Sequence, residues 1–160
     1  MNVIPYPKMV SIEESTNDER HLRYLNLLSK VASDIPIPVK GNNRMSACVV
    51  YKNDIVAFGV NERKSHPFQA RYSKNDDAVF LHAETSAIKN ALKYITVEEL
   101  EKSTLYICRI KFLDTTKKQL VFGLSKPCPG CFRCINTFNL KKVVYTLDNC
   151  GYETMESKER

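Results

Sequence analysis

The chain has no run approaching the roughly 18 apolar residues that a membrane-spanning helix requires. Its opening, Met1 to Val10, has no basic stretch followed by an apolar core, so it does not read as a secretion signal. There is no internal repeat, no low-complexity tract and no composition break that would mark a second domain. These absences point to an intracellular, cytoplasmic protein with no membrane partner. The 160 residues suit one domain spanning 1–160, with one hydrophobic core. Apolar residues at 43% and charged residues at 26% are the ordinary balance of a globular chain.

A large excess of one charge is also missing. The net charge is +6, mildly basic, which attracts phosphates without proving a nucleic-acid partner. Residues 1–40 balance five Lys/Arg against five Asp/Glu. The surplus comes from Arg63, Lys64, Arg71 and Lys74, from the stretch Arg109 to Lys118, and from Lys126, Arg133, Lys141 and Lys142. The six cysteines are Cys48, Cys108, Cys128, Cys131, Cys134 and Cys150. In a reducing compartment they read as small core residues or metal ligands rather than as disulfides. Cys48 and Cys108 sit inside β-like apolar runs and read as core. Cys150 carries no assignment.

Periodicity orders the rest. Glu14 to Ser33 places Leu22, Leu25, Leu28 and Val31 at threefold spacing, a helical stripe over about 16–33, with Thr16, Asn17 and Asp18 as candidate caps. Ile35-Pro36-Ile37-Pro38 ends it. Ser46 to Tyr51 and Ile55 to Val60 are β-rich and joined by Lys52-Asn53-Asp54, which predicts a hairpin. Residues 61–80 show no clear period, and a loop that long is usually functional or mobile. Leu81 to Tyr94 reads as a helix, Thr104 to Ile110 as a strand, and Gln119 to Leu124 as a shorter strand. Cys128 to Leu140 reads as a short helix and Lys142 to Leu147 as a closing strand. Strand–helix–strand units after an opening hairpin imply a mixed sheet with helices on its faces.

The chemistry concentrates in His82-Ala83-Glu84 and in Pro127-Cys128-Pro129-Gly130-Cys131, whose first cysteine lies 46 positions after the histidine. His82, Cys128 and Cys131 offer three soft or borderline donors. That number suits a catalytic zinc, because a structural zinc is closed by four protein ligands. Residues three apart in a first helical turn share a face, so both cysteines can reach one ion. The positive end of a helix favours thiolate over thiol. Glu84, two residues after the histidine, is free for proton work. Adding Cys134 to the three donors would give a closed structural site. That alternative is disfavoured because Cys134 lies a further turn into the helix and Glu84 is left without a role.

An H-x-E followed by P-C-x-x-C is the signature of zinc deaminases of nucleobases. Over about Ser46 to Leu147 the chain resembles the cytidine/deoxycytidylate deaminase superfamily. The resemblance is carried by His82-Ala83-Glu84 with Ala87 and Ile88, by Pro127-Cys128 and Cys131 followed by Ile135, and by Lys141-Lys142-Val143-Val144-Tyr145. Phe58-Gly59-Val60-Asn61 resembles the family segment whose Asn meets the substrate sugar. Lys64-Ser65-His66-Pro67 is reminiscent of small deaminases of bacterial viruses, which would place the protein in a host cytoplasm. The resemblance implies a three-layer α/β/α fold with a mixed central sheet and helices on both faces, with the catalytic core at about 46–147.

It further implies one catalytic Zn2+ held by His82, Cys128 and Cys131, with Glu84 as the proton carrier in hydrolytic loss of ammonia from C4 of a pyrimidine. Asn61, Ala83, Lys64, His66 and Pro127 become substrate-contact candidates. A free cytosine nucleotide is the expected substrate, first dCMP going to dUMP, with a homo-oligomer as the expected assembly. The alternative is a cytidine or adenosine deaminase acting on single-stranded DNA or RNA, tRNA included. That reading would use several cations of 61–80, with Phe68, Tyr72 and Phe80 for base stacking. A catalytically dead zinc fold is a third reading, opposed by the presence of Glu84. Two departures from the family pattern stand out. Phe132-Arg133-Cys134 follows Cys131 where a small residue and then a Lys or Arg are usual, and the Arg-Gln that free cytidine deaminases place there is absent.

Overall fold

The computed structural model describes residues 3–4, 12–35, 44–62, 66–72, 82–116 and 118–157. In chain order the elements are β1 (Val3–Ile4), α1 (Ile12–Ser33), β2 (Arg44–Tyr51), β3 (Asp54–Val60), α2 (Pro67–Tyr72) and α3 (Ala83–Ala91). They continue with α4 (Val97–Leu100), β4 (Thr104–Phe112), β5 (Leu120–Gly123), α5 (Pro129–Thr137), β6 (Lys142–Thr146) and β7 (Tyr152–Glu156).

The strands form one mixed sheet of seven, in the order β1-β5-β4-β2-β3, with β6 beside β4 and β7 beside β6. β2 and β3 make the expected hairpin. Its turn places both Lys52 and Asn53 at positive φ, 49° and 66°, the two-residue geometry that matches strand twist. β4 is the hinge of the topology. Over Thr104–Ile107 it pairs in parallel with β6, and over Arg109–Phe112 it pairs antiparallel with β5.

Alternation along β4 builds both faces. Leu105 and Ile107 point into one apolar cluster, with Ala87 and Ile88 of α3 and Ile135 of α5. Tyr106, Cys108 and Ile110 point into the other, with Tyr24, Leu25, Leu28 and Ala32 of α1. The fold is therefore the helix–sheet–helix sandwich that the resemblance implies. Cys48 and Cys108 are fully buried in the α1 layer, as expected of small core residues. No helix among the described residues is long and apolar enough to cross a membrane.

Several expectations are corrected. α1 begins at Ile12, so Thr16, Asn17 and Asp18 lie within it rather than cap it. Asp18 is instead a buried acceptor for the Tyr152 hydroxyl of β7. The buried stripe of α1 is Tyr24, Leu25, Leu28 and Ala32, whereas Leu22 and Val31 are only half-buried. A threefold spacing drifts off a helix face that repeats every 3.6 residues. Residues 61–80 contain a helix, α2, started by Pro67 and braced by His66, whose Nδ1 accepts from the Phe68 N–H at 3.0 Å. The helix read over Leu81 to Tyr94 ends at Ala91, and Leu81 lies outside the described residues. It is followed by α4, whose Thr96 and Glu99 form a reciprocal capping box. Lys142–Thr146 does not close the sheet, because β7 pairs antiparallel beyond it.

One close approach positions everything downstream. A Cβ built on Gly59 of β3 would stand 2.3 Å from the Ala87 nitrogen, 2.4 Å from the Ala83 oxygen and 2.8 Å from the Ser86 Cβ. The α3 backbone lies directly on this glycine. Two of the three contacts are main-chain atoms, so no side-chain rotation relieves them. Gly59→Ala is expected to cost about 1–3 kcal/mol, roughly 3–10 °C in Tm for a chain of this size. A thermal melt within a degree of the parent would overturn this account of the α3–β3 contact.

Candidate active site

His82 and Cys128 are the N-cap residues of α3 and α5, both with extended backbone and neither using its side chain as a cap. The side chains are therefore available to each other. His82 Nδ1 lies 3.2 Å from Cys131 Sγ and 3.5 Å from Cys128 Sγ. All three donor atoms fall within 4.8 Å of one another. Ligands of a tetrahedral zinc at the usual bond lengths stand roughly 3.6–3.8 Å apart, so one ion fits among these atoms with small adjustments. Two sulfurs and one imidazole nitrogen are a zinc-like donor set. Cys134 is buried in the α3/α5 apolar cluster and is not part of the donor group.

Electrostatics match the placement. The Cys128 thiol is held down to about 3, chiefly by a hydrogen bond from the Cys131 thiol, with His82 adding to the effect. The Cys131 thiol is pushed up by that same bond and by burial. His82 is raised by its bond to Cys128. The shared bond thus favours the charged form of Cys128 and the neutral form of Cys131, and cation binding requires Cys131 to give up its proton.

Glu84 sits in the first turn of α3 and is 2% exposed. Burial raises its carboxyl above the ordinary value of 4.5, opposed by a hydrogen bond with Cys131. Its Oε1 is buried without a hydrogen-bond partner among the described residues. A buried acceptor left open beside three metal-type donors is a place for a proton-bearing ligand.

Two supports went unnoticed in the sequence. Gln69 of α2 is fully buried, and its Oε1 accepts from the His82 N–H at 3.2 Å and from the Thr85 hydroxyl. It fastens the start of α3. No motif marks it, since one Gln in an aperiodic segment carries no signal. On the other side, Ser125 and Thr146 brace the approach to Cys128. Ser125 Oγ donates to the Ile107 carbonyl at 3.0 Å, and the Thr146 N–H donates to Ser125 Oγ at 2.8 Å. Thr146 Oγ1 donates to the Gly123 carbonyl at 2.7 Å and accepts from the Arg109 N–H at 3.2 Å. These bonds fill the gap where β4 changes partner, and Lys126-Pro127-Cys128 leaves from there.

The substrate-contact candidates divide. Ala83 and Pro127 are buried beside the donor group in sequence and at the two helix starts. Asn61 follows β3, and its side-chain oxygen accepts from the Met45 N–H at 2.9 Å, so that oxygen serves the hairpin. His66 uses Nδ1 to brace α2. Lys64 lies outside the described residues, as do Arg63, Lys74 and Phe80. Phe68 and Tyr72 pack on each other and on Phe138, at centroid distances of 5.5 to 6.4 Å, and face the core rather than solvent.

Residues 18–147 match the family model described as the cytidine and deoxycytidylate deaminase zinc-binding region. The chain belongs to that family. It is a deaminase of the cytidine/deoxycytidylate type, with His82, Cys128 and Cys131 placed to hold a metal. Among solved structures it is similar to the dCMP deaminase of the cyanophage S-TIM5 in complex with dCMP and dUMP. That match has 21% identity, covers 87% of this chain and 85% of that one, and gives a TM-score of 0.50. It is similar to cytidine deaminase from Burkholderia pseudomallei at 17% identity, 84% and 91% coverage and a TM-score of 0.54. A third match is the diaminohydroxyphosphoribosylaminopyrimidine deaminase/5-amino-6-(5-phosphoribosylamino)uracil reductase from Thermotoga maritima. It has 21% identity, covers 82% of this chain and gives a TM-score of 0.52, and this chain spans only 31% of its length. At these identities the structural likeness speaks for the fold alone. No curated protein matches the chain significantly.

Two outcomes follow for this deaminase. Gln69→Ala leaves the His82 N–H and the Thr85 hydroxyl short of an acceptor. It is expected to cost about 1–3 kcal/mol and to weaken zinc about 10–100-fold in competition with a chromophoric chelator. Unchanged zinc affinity would remove Gln69 from the positioning of His82. The second concerns the metal-free protein. The folded-state value of Glu84 lies above 4.5, so the folded state binds the extra proton and stability falls as pH rises from there towards the folded value. Glu84→Gln is expected to lose that slope and to be the more stable protein at neutral pH. Parallel urea midpoints for the two proteins across the range would contradict it.

Proposed function

We propose that this chain is a zinc-dependent hydrolytic deaminase of a free cytosine nucleotide, first of dCMP, giving dUMP and ammonia. One observation carries the reading. A buried carboxyl with an open oxygen, Glu84 Oε1, stands next to three convergent zinc-type donors at two facing helix starts.

His82, Cys128 and Cys131 hold the ion, and zinc there supplies the Lewis acidity that lets a water ionise near neutral pH. Glu84 takes the proton of the attacking water at its open oxygen. It returns that proton to ring N3 and then assists departure of the C4 amino group as ammonia, so that one water is consumed and one ammonia released. A carboxyl raised by burial holds a proton more readily than a solvated one, which suits it to that transfer. Ala83 and Pro127 border the base, with the chain nitrogens of the two helix starts available to its oxygen. Asn61 and His66 serve the sugar and phosphate with Lys64, within a single domain of 1–160 that self-associates in the cytoplasm.

The polymer reading is less well supported. Of the aromatics it would use for stacking, Phe68 and Tyr72 are engaged in the core cluster. The complex of the cyanophage dCMP deaminase with dCMP and dUMP agrees with the nucleotide reading at the level of the shared fold.

Ammonia release by the zinc-loaded protein decides between them, measured on dCMP, CMP, deoxycytidine, cytidine, dCTP, AMP and a cytosine-containing single strand. Turnover of dCMP well above the nucleosides is expected, and it should fall little with salt. Activity confined to the strand and collapsing with salt would overturn the proposal. Glu84→Gln is expected to keep its zinc and lose at least about 10²–10⁴-fold in kcat. Wild-type turnover in that variant would take Glu84 out of the chemistry.

A further inference from the structure

Four residues stand side by side across the sheet just beyond the first turn of α3. Asn61 follows β3 and faces Met45 of β2. Its N–H donates to the Met45 carbonyl at 3.3 Å, and its side-chain oxygen accepts from the Met45 N–H. Met45 pairs with Arg109 of β4, and Arg109 with Gly123 of β5. Residues opposite one another in a sheet point to the same face. For this row it is the α3/α5 face, since Met45 packs against the cluster that holds Ala83, Ala87 and Ile135. One row further in are Gly59, which lies under Ala83, and Ile107, whose carbonyl takes the Ser125 hydroxyl on the way to Cys128. Arg109 therefore lies in the sheet floor at the end where both helices start, about 7 Å beyond the row beneath the start of α3.

The Arg109 side chain is laid flat and left without an acceptor. A Cβ on Gly123 would stand 3.1 Å from both its Cγ and its Cδ, and 3.4 Å from its Nε. The arm thus crosses β5, the strand that leads through Ser125 and Pro127 into Cys128. Its Nε is buried with no hydrogen-bond partner among the described residues, and its guanidinium forms no ion pair with any of them. Asp148 is close enough to respond to the charge, but its carboxylate is engaged by Lys111 at 3.0 Å and by the Leu124 N–H. A desolvated N–H without an acceptor destabilises the empty protein, and a ligand oxygen placed there removes that cost. The guanidinium fork is the side chain whose geometry best matches the oxygens of a phosphate.

We propose that Arg109 is a specificity-determining residue that donates to the phosphate of a nucleoside monophosphate, an inference that rests on the nucleotide reading above. Asn61 and Arg109 stand two strand spacings apart, about 10 Å. A nucleotide whose base enters between the helix starts lays its sugar towards the Asn61 end of that row and its phosphate towards the Arg109 end. The absent side chain at Gly123 lets the arginine lie down on β5 instead of rising into the space above the sheet.

Calorimetric titration in a zinc-loaded Glu84→Gln background, where substrate is not consumed, compares dCMP with deoxycytidine. That parent is expected to bind dCMP more tightly. Adding Arg109→Gln should cut the preference about 10–100-fold, the loss of hydrogen bonds to a charged group. Arg109→Lys, which keeps the charge and loses the fork, should fall between the two proteins. A merely structural arginine would weaken both ligands alike and leave the ratio where it was. An Arg109→Gln ratio equal to the parent's, an Arg109→Lys ratio outside that interval, or a parent without preference for dCMP would each overturn the assignment. The ratio is read whether or not dCMP is turned over, so failure of the nucleotide reading in the ammonia measurement is a separate result.

Discussion

The structure depends on how closely α3 can lie on β3. Helix and sheet faces normally keep side chains between them, but at Gly59 the α3 backbone reaches the strand without one. That contact fixes the height of the first turn of α3 above the sheet, and so the height of His82 and Glu84. Gln69 then fixes the direction from which the chain enters the helix. Both residues act on the start of α3, and so on where His82 stands.

The opposing half of the centre is set by a strand that serves two neighbours. β4 gives its first half to β6 and its second to β5, so the sheet has a seam between them. Ser125 and Thr146 satisfy the main-chain groups that the seam would orphan. The chain then leaves the seam through Pro127 into α5, and Cys128 and Cys131 arrive opposite His82. Two helix starts facing each other combine their partial positive charges, which favour a thiolate and accept an anionic oxygen. The burial of Glu84 belongs to the same arrangement. Its open oxygen, buried without a hydrogen-bond partner among the described residues, is a stability liability in the metal-free protein.

The two ends of the sheet carry different electrostatics. Around the candidate centre, donor atoms are few, half-buried or buried, and mutually bonded. Around the start of β4, Arg20, Lys52, Lys102, Lys141 and Lys142 gather, and among the described residues only Lys142 has an acidic partner. The fold keeps these apart by the length of a strand, so that one end can hold a metal while the other gathers surface charge.

The sequence by itself determined the donor set, the carboxylate beside it and the order of the main elements. His82, Glu84, Cys128 and Cys131 were legible because zinc chemistry needs particular atoms at short spacing. The β2–β3 hairpin and α1 were legible because their patterns are local and long. Several element ends, and the short β1, α2, α4 and β7, were not. The period along α1 was off by the difference between 3 and 3.6, α2 has too few residues for a stripe, and β7 has no core-facing alternation to announce it. Only the tertiary structure decided that Gln69 holds His82, that Cys134 belongs to the core, that Asn61 is engaged with Met45, and that Arg109 stands in the same cross-strand row. Each of those is a contact between residues far apart in the chain, and a contact of that kind leaves no trace in composition, period or spacing.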